Sequence, residues 1–404
     1  MSGLGLTFLR RGNLAHPTAG SDYILSENRG DPEVFRILMS KGVSSDGVGI
    51  TKEDAAAVTS IQGWFAQNAN IVTFNELQYF TGLSMIGNPS SNNSPYGFYQ
   101  CTNLREVTLP KTDIILAYQA FRGCDNLTTI HGMENVTALR TNSFRDCPNL
   151  YFEDLNMPKL EVFQESVFYG GARLRHLNLG KVTKLPTANA SSAHYGAKDT
   201  LESIRIDHAL AIPSYSFANY VALSGVIDLR DTDIESLEGS CFNNCSSITD
   251  IYLPRNLKKI SGSPYRYAIY KYSPDGVINL PLLEIISGAC FHRSAIVRVE
   301  SLGACSVLGA TSGYNYTFTS CQDLVFFRVP PTTTQIGSRF VTDCPNLTSI
   351  VVEAISPPSI VSDSFSNVNN ATFYVPDASV NAYKEDATWS KFASRIKGIS
   401  EYNV

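Results

Sequence analysis

One skeleton returns along most of this chain, and a sequence that repeats at a near-fixed period has few folds open to it. Phe98-Tyr-Gln-Cys101-Thr-Asn-Leu104-Arg-Glu-Val107-Thr-Leu109-Pro110 serves as the ruler. It recurs as Phe121-Arg-Gly-Cys124-Asp-Asn-Leu127-Thr-Thr-Ile130, as Phe144-Arg-Asp-Cys147-Pro-Asn-Leu150, and late in the chain as Phe340 with Cys344, Leu347, Ile350 and Val352. The leading positions are 98, 121, 144, 168, 195, 217, 242, 269, 291, 318, 340 and 365, spaced 22 to 27 residues apart. A chain of 404 residues ordinarily divides into two or three domains, but a repeat array grows in one dimension instead. One copy cannot bury its own apolar face, so each copy needs its neighbours and the two ends need caps.

Within a copy, Leu-x-x-Ile-x-Leu closes in an alternating apolar pair and often a Pro, which reads as a short strand with a stop. Stacked strands form a parallel sheet on one side, and the leading Phe plugs the core from the opposite arc. Stacking at about 4.8 Å per turn gives a rod of roughly 55–60 Å. At these residues the chain resembles the BspA-like leucine-rich repeats, with Ala120-Phe-Arg-Gly-Cys-Asp-Asn-Leu127 the nearest match to the repeat consensus. Some copies depart from it: Gly171 and Tyr220 stand where Cys would, and so does Ser294. The expected fold is therefore a leucine-rich-repeat solenoid, with a parallel β-sheet on one face, irregular or short helical arcs on the other, and helical caps. The expected boundaries are 1–45 for an extended arm, 46–95 for a helical N-terminal cap, 96–376 for the solenoid and 377–404 for the C-terminal cap. Thr51 with Asp54 signals a helix start, Phe74–Phe80 a second short helix, and Trp64, Phe80 and Trp389 are expected in the core. The family resemblance implies recognition and adhesion rather than catalysis.

The N-terminal arm fits neither repeat nor cap. Its apolar residues, among them Leu6, Phe8 and Tyr23, alternate with Gly, Pro and the pair Arg10 and Arg11. Such a segment is expected to order on a partner. Residues 1–25 are similar to N-termini of proteins from phages that infect Bacteroides. The same stretch lacks the apolar core of a secretory leader, so no signal peptide is expected. No apolar run approaches the ~20 residues of a membrane-spanning helix, which argues against membrane insertion. A net charge of −5 with only 32 Lys+Arg argues against nucleic acid held by phosphate contacts.

Chemistry-bearing patterns are few. Cys101, Cys124 and Cys147 lie 23 apart, as do Cys321 and Cys344, so they occupy one repeat position and stack as a ladder. Buried thiols and disulfides between adjacent turns both fit that spacing. The six His are scattered, and Asp228, Asp231 and Asp233 read as solvent-facing rather than as a calcium site. Asn126 and Asn346 sit in sequons that recur with the repeat, which points to Asn/Thr ladders rather than glycosylation. No cofactor, metal or enzymatic motif is expected.

Partners are expected at the insertions, which in a solenoid map to one face. They fall just before the leading aromatic: 88–96, 186–195, 261–272 and 309–316, all rich in Ser, Gly and Asn and ending in Tyr. Tyr96, Tyr195, Tyr265, Tyr267, Tyr270, Tyr314 and Tyr316 are the candidate binding residues, since Tyr joins a flat apolar body to a polar tip. Against this, Tyr195 is also a candidate for the core position of Phe. The expected function is a non-enzymatic binding or structural protein. As a virion component it would dock on other virion proteins through Leu6, Phe8, Arg10, Arg11 and Tyr23. As a bacterial surface or secreted adhesin it would meet a cell-surface protein or glycan. A homo-oligomer is compatible with either.

Overall fold

The computed structural model describes residues 22–90, 94–188, 194–262, 270–309 and 315–402. The repeat folds as expected into a parallel β-solenoid, but with two ladders of strands rather than one. The first ladder is built from the Leu-x-x-Ile-x-Leu segments. Its inward residues meet turn by turn: Val107 opposite Ile130, Leu155 opposite Leu177, Ile227 opposite Ile251, and Phe327, Ile350 and Phe373 in one row. A one-residue slip would turn each row out to solvent, so the burial pattern sets the register.

The second ladder is a row of strands two to four residues long. It joins Ile86, Leu116, Leu139 and Phe163, and then, after a break, Ile212, Leu237, Ile260, Ile286, Leu308, Ile336 and Ile360. Opposite both ladders the leading rings stack. Phe98 and Phe121 lie 5.1 Å apart, Phe121 and Phe144 5.4 Å, and Phe144 and Phe168 5.5 Å, all within 12° of parallel.

The arc carrying the rings is irregular apart from one short parallel pair, Phe318–Thr319 with Val341–Thr342, yet its backbone is paired between turns. Phe98 N–H donates to the Ala120 carbonyl at 2.8 Å, Phe121 to Ser143 at 2.8 Å and Phe144 to Val167 at 3.0 Å. Two residues past the ring the chain must turn sharply, and Gln100, Asp146, Asn219, Asn244 and Ser320 all adopt left-handed φ there, between 53° and 66°. Gly123 fills the same position at φ 70° without the strain of a Cβ. Asn side chains stitch the next corner, Asn126 to the Thr102 carbonyl at 2.9 Å and Asn346 to the Gln322 carbonyl at 2.8 Å.

The expected helical caps take another form. In the N-terminal one, α2 (Lys52–Ala56) starts at the Thr51–Asp54 capping box, but the helix ends after five residues. Residues 57–72 instead make a degraded repeat, because β-branched and Asn-rich sequence disfavours helix while the repeat contacts reward the turn. Phe65 stacks on Phe98 at 5.4 Å, Gln67 has φ 61°, and Ile71 and Phe74 are fully buried. The solenoid thus begins one turn earlier than the reading of residue 96 as its start. At the other end α3 (Val380–Glu385) is short, and Ile396–Gly398 extends the first ladder by pairing with Phe373–Val375. Trp389 and Tyr383 close the core, their polar tips donating to the Pro358 and Ala354 carbonyls, both at 2.7 Å.

The arm needs a larger correction. Leu6, Phe8, Arg10 and Arg11 lie outside the described residues, but 22–45 are folded rather than extended. β1 (Tyr23–Leu25) pairs antiparallel with β2 (Ile50–Thr51), and α1 (Pro32–Ser40) buries Val34, Ile37 and Leu38. Asp31 caps α1 through Glu33 and Val34 N–H, and its second oxygen accepts from Val72 at 2.8 Å and Thr73 at 3.1 Å. Tyr23, expected in the anchor, donates its hydroxyl to Asp46 within the same cap. The apolar residues of 22–45 found their partner in the first turn of the solenoid itself.

Candidate ligand-binding edge

The interior spends its chemistry on structure. Each ladder Cys donates its thiol to the carbonyl of the ring one turn earlier: Cys124 Sγ to Phe98 O at 3.0 Å, Cys147 to Phe121 O at 3.0 Å, Cys245 to Phe217 O at 2.9 Å and Cys344 to Phe318 O at 3.1 Å. All nine cysteines are free and buried. Burial pushes the Cys101, Cys147 and Cys245 thiols up to about 12. These are protonated, unreactive groups. Asp228, Asp231 and Asp233 go separate ways, to Arg230, Arg255 and His208 respectively. Among the described residues no group of three His, Cys, Asp or Glu side chains is placed to hold a metal ion.

The insertions share one place in the repeat. In the short turns the buried residue of the second ladder precedes the leading ring by four or five positions, as from Leu116 to Phe121, Leu139 to Phe144, Ile212 to Phe217 and Ile336 to Phe340. The stretch lengthens from Ile86 to Phe98, Leu185 to Tyr195, Ile260 to Tyr270 and Leu308 to Phe318. Because turns stack in register, all four inserts leave the body along the same edge, between the second ladder and the ring arc.

The candidate tyrosines divide. Tyr195 is a core ring, fully buried, stacked on Phe163 at 5.3 Å and Phe217 at 4.9 Å. It replaces a Phe and drops out as a binding residue. Tyr270 is also buried and packs edge-on against Tyr272. Tyr96 and Tyr316 remain half-exposed on the edge. Tyr316 lies beside His292 at 5.8 Å, beneath the Arg339 guanidinium at 5.1 Å. Tyr265, Tyr267 and Tyr314 lie outside the described residues.

Between the first two inserts the edge opens into a cleft of about 620 Å³, which the sequence reading missed. Its cause is visible in the ladder. After most second-ladder strands, the next turn donates an N–H to the buried residue's carbonyl, as Gln164 does to Leu139 at 2.9 Å and Glu238 to Ile212 at 3.1 Å. Pro186 and Pro213 occupy that donor position in two successive turns and have no N–H to give. The ladder therefore parts between Val162–Phe163 and Ala211–Ile212. Tyr118, Thr141, Glu161, Gln164, Glu165 and Lys184 surround the opening. The Arg140 guanidinium lies over the Tyr118 ring at 5.7 Å and reaches the Pro89 carbonyl of the first insert at 3.2 Å. At the far end His194 pins the second insert: its Nδ1 accepts Ser166 N–H at 2.8 Å, which places the proton on Nε2, 3.0 Å from the Thr187 carbonyl. Burial lowers the pKa of His194, which keeps it neutral in that role.

The chain matches the BspA type leucine-rich repeat region in six copies, over residues 91–223, 185–297 and 284–391, and it belongs to that family. A leucine-rich repeat protein from Bacteroides ovatus is 16% identical with a TM-score of 0.41, over 78% of this chain and 92% of that one. A leucine rich cell surface protein from Faecalibacterium prausnitzii is 17% identical with a TM-score of 0.30, over 80% and 88%. No curated protein matches the chain in sequence. The similarity to phage proteins rested on the first 25 residues, nearly all outside the described ones, and the comparisons lend it no support.

Proposed function

We propose that this protein is a recognition scaffold of the bacterial surface or secreted type, using the inserted edge of its solenoid to bind a partner. One observation carries the reading: four inserts of differing length and sequence all emerge at the same corner of an otherwise tightly specified repeat. A corner that tolerates length change while its neighbours keep their register is where specificity is built at little cost to the fold. The half-exposed Tyr96 and Tyr316 on that edge supply amphipathic contact area. Buried, protonated thiols and separately paired carboxylates favour binding over catalysis.

The test is binding of the purified full chain to intact bacterial and epithelial cells. Replacing 187–194 and 309–316 with the short connections of neighbouring turns should abolish cell binding and leave the melting temperature within a few degrees. A trimmed protein that still binds as the parent does would move the partner surface elsewhere.

A further inference from the structure

The cleft opened by Pro186 and Pro213 has a composition that selects its occupant. We propose that it binds a neutral oligosaccharide laid along the solenoid axis, a deepening that rests on the recognition reading above. The opening crosses the turns that carry Tyr118, Thr141, Gln164 and Thr187, with the first insert at one end and the second at the other. From the turn of the first insert to that of the second is four turn spacings of about 4.8 Å, roughly 19 Å, which suits a short chain of sugar rings rather than a single metabolite.

The walls supply hydrogen-bond acceptors in excess. Pro186 leaves the Phe163 carbonyl without its ladder donor, and Pro213 does the same for the Leu185 carbonyl. The carboxylates of Glu161 and Glu165 add to these, against the single ammonium of Lys184. Gln164 uses its Oε1 to accept from Thr141 N–H at 3.1 Å and Thr141 Oγ1 at 3.3 Å, which orients its NH2 as a donor to a ligand. Tyr118 contributes an aromatic face, held by Arg140.

That set favours sugar over peptide. An extended peptide added to a sheet edge needs alternating N–H and C=O groups from the edge, and here the prolines have removed the N–H groups. Sugar hydroxyls both donate and accept, so they satisfy bare carbonyls and carboxylates alike, while their C–H faces pack on a Tyr ring. The two carboxylates offset the Lys184 ammonium and the Arg140 guanidinium over Tyr118, so the opening offers no net positive charge to hold sialylated, sulfated or phosphorylated chains.

The experiment presents the full-length protein to immobilised neutral trisaccharides of glucose, mannose and N-acetylglucosamine, beside their sialylated or sulfated counterparts. Retention on at least one neutral trisaccharide is expected, with Tyr118→Ala and Gln164→Ala each weakening it tenfold or more at an unchanged melting temperature. The double variant Glu161→Gln/Glu165→Gln should hold the neutral chain and gain several-fold in retention of acidic ones. Retention of none of the neutral chains, a preference for acidic ones, or equal binding by Tyr118→Ala overturns the proposal. Cell binding measured on the Tyr118→Ala protein separates the two readings. If it persists while the neutral chains are not retained, the edge recognises something else; if the parent binds neither cells nor sugar, both readings fall.

Discussion

The Cys of this repeat is a hydrogen-bond donor as much as a small apolar side chain. Cys124 fills a buried space and donates to the Phe98 carbonyl, as a second donor beside the Cys101 N–H at 3.0 Å. Cys124→Ser keeps a donor, whereas Cys124→Ala removes the second hydrogen bond to the carbonyl and leaves a small void. Ala should therefore cost about 1–3 kcal/mol and more than Ser, measured by chemical denaturation. The opposite order would make the thiol a plain hydrophobe. Tyr195 is the converse case, a core ring whose hydroxyl is buried with no hydrogen-bond partner. Tyr195→Phe should raise stability by about 1 kcal/mol, since it removes only the unsatisfied group. Phe121→Ala, which removes a ring stacked on both neighbours, should cost about 3–5 kcal/mol.

At the scale of elements, the N-terminal cap is more than a lid. Asp31 accepts four backbone N–H groups, two from α1 and two from the first turn, so it joins helix and solenoid at a single carboxylate. Asp31→Ala should cost about 2–3 kcal/mol, sensed first as lost hydrogen-exchange protection in residues 50–90 rather than across the array. Unchanged protection there would make 22–45 a loosely docked appendage. Solenoids permit such local fraying because each turn contacts only its neighbours.

At the scale of the whole molecule, thiols buried along the array give a pH signature. Their ordinary pKa of 9.0 is pushed up to about 12 at Cys101, Cys147, Cys245 and Cys305, with burial as the largest cause at each. In the unfolded chain these thiols release protons near pH 9, while the folded chain holds them. The unfolded state therefore binds fewer protons above that pH, and stability falls as pH rises from about 9 to 12. Below pH 9 the contribution is complete. A thiol reagent at pH 8 should find almost no reactive Cys in the native protein and nine in denaturant. Fewer than nine in denaturant without reductant would show disulfides along the ladder.

Much of this was written locally in the chain. A 22–27 residue period, a Leu-x-x-Ile-x-Leu strand and a Phe–Cys pair specify stacking because each is a short-range pattern with one way to bury itself. The same patterning put the inserts on one edge of the expected solenoid. What the tertiary structure decided depends on contacts between turns. The second ladder uses strands of two to four residues, too short to show periodicity, though a buried Leu or Ile four or five residues before the ring in most short turns was a usable signal. Phe65-Ala-Gln-Asn-Ala-Asn-Ile71 carried the repeat with Asn for Cys, and only the stacking of Phe65 on Phe98 revealed it. Residues 22–45 looked partnerless because their partner, the Val72–Thr73 backbone, is some forty residues away in sequence. The cleft needed both levels: Pro186 and Pro213 were plain to read, but that they meet in adjacent turns, at the position where the ladder requires an N–H, is a property of the stacked chain alone.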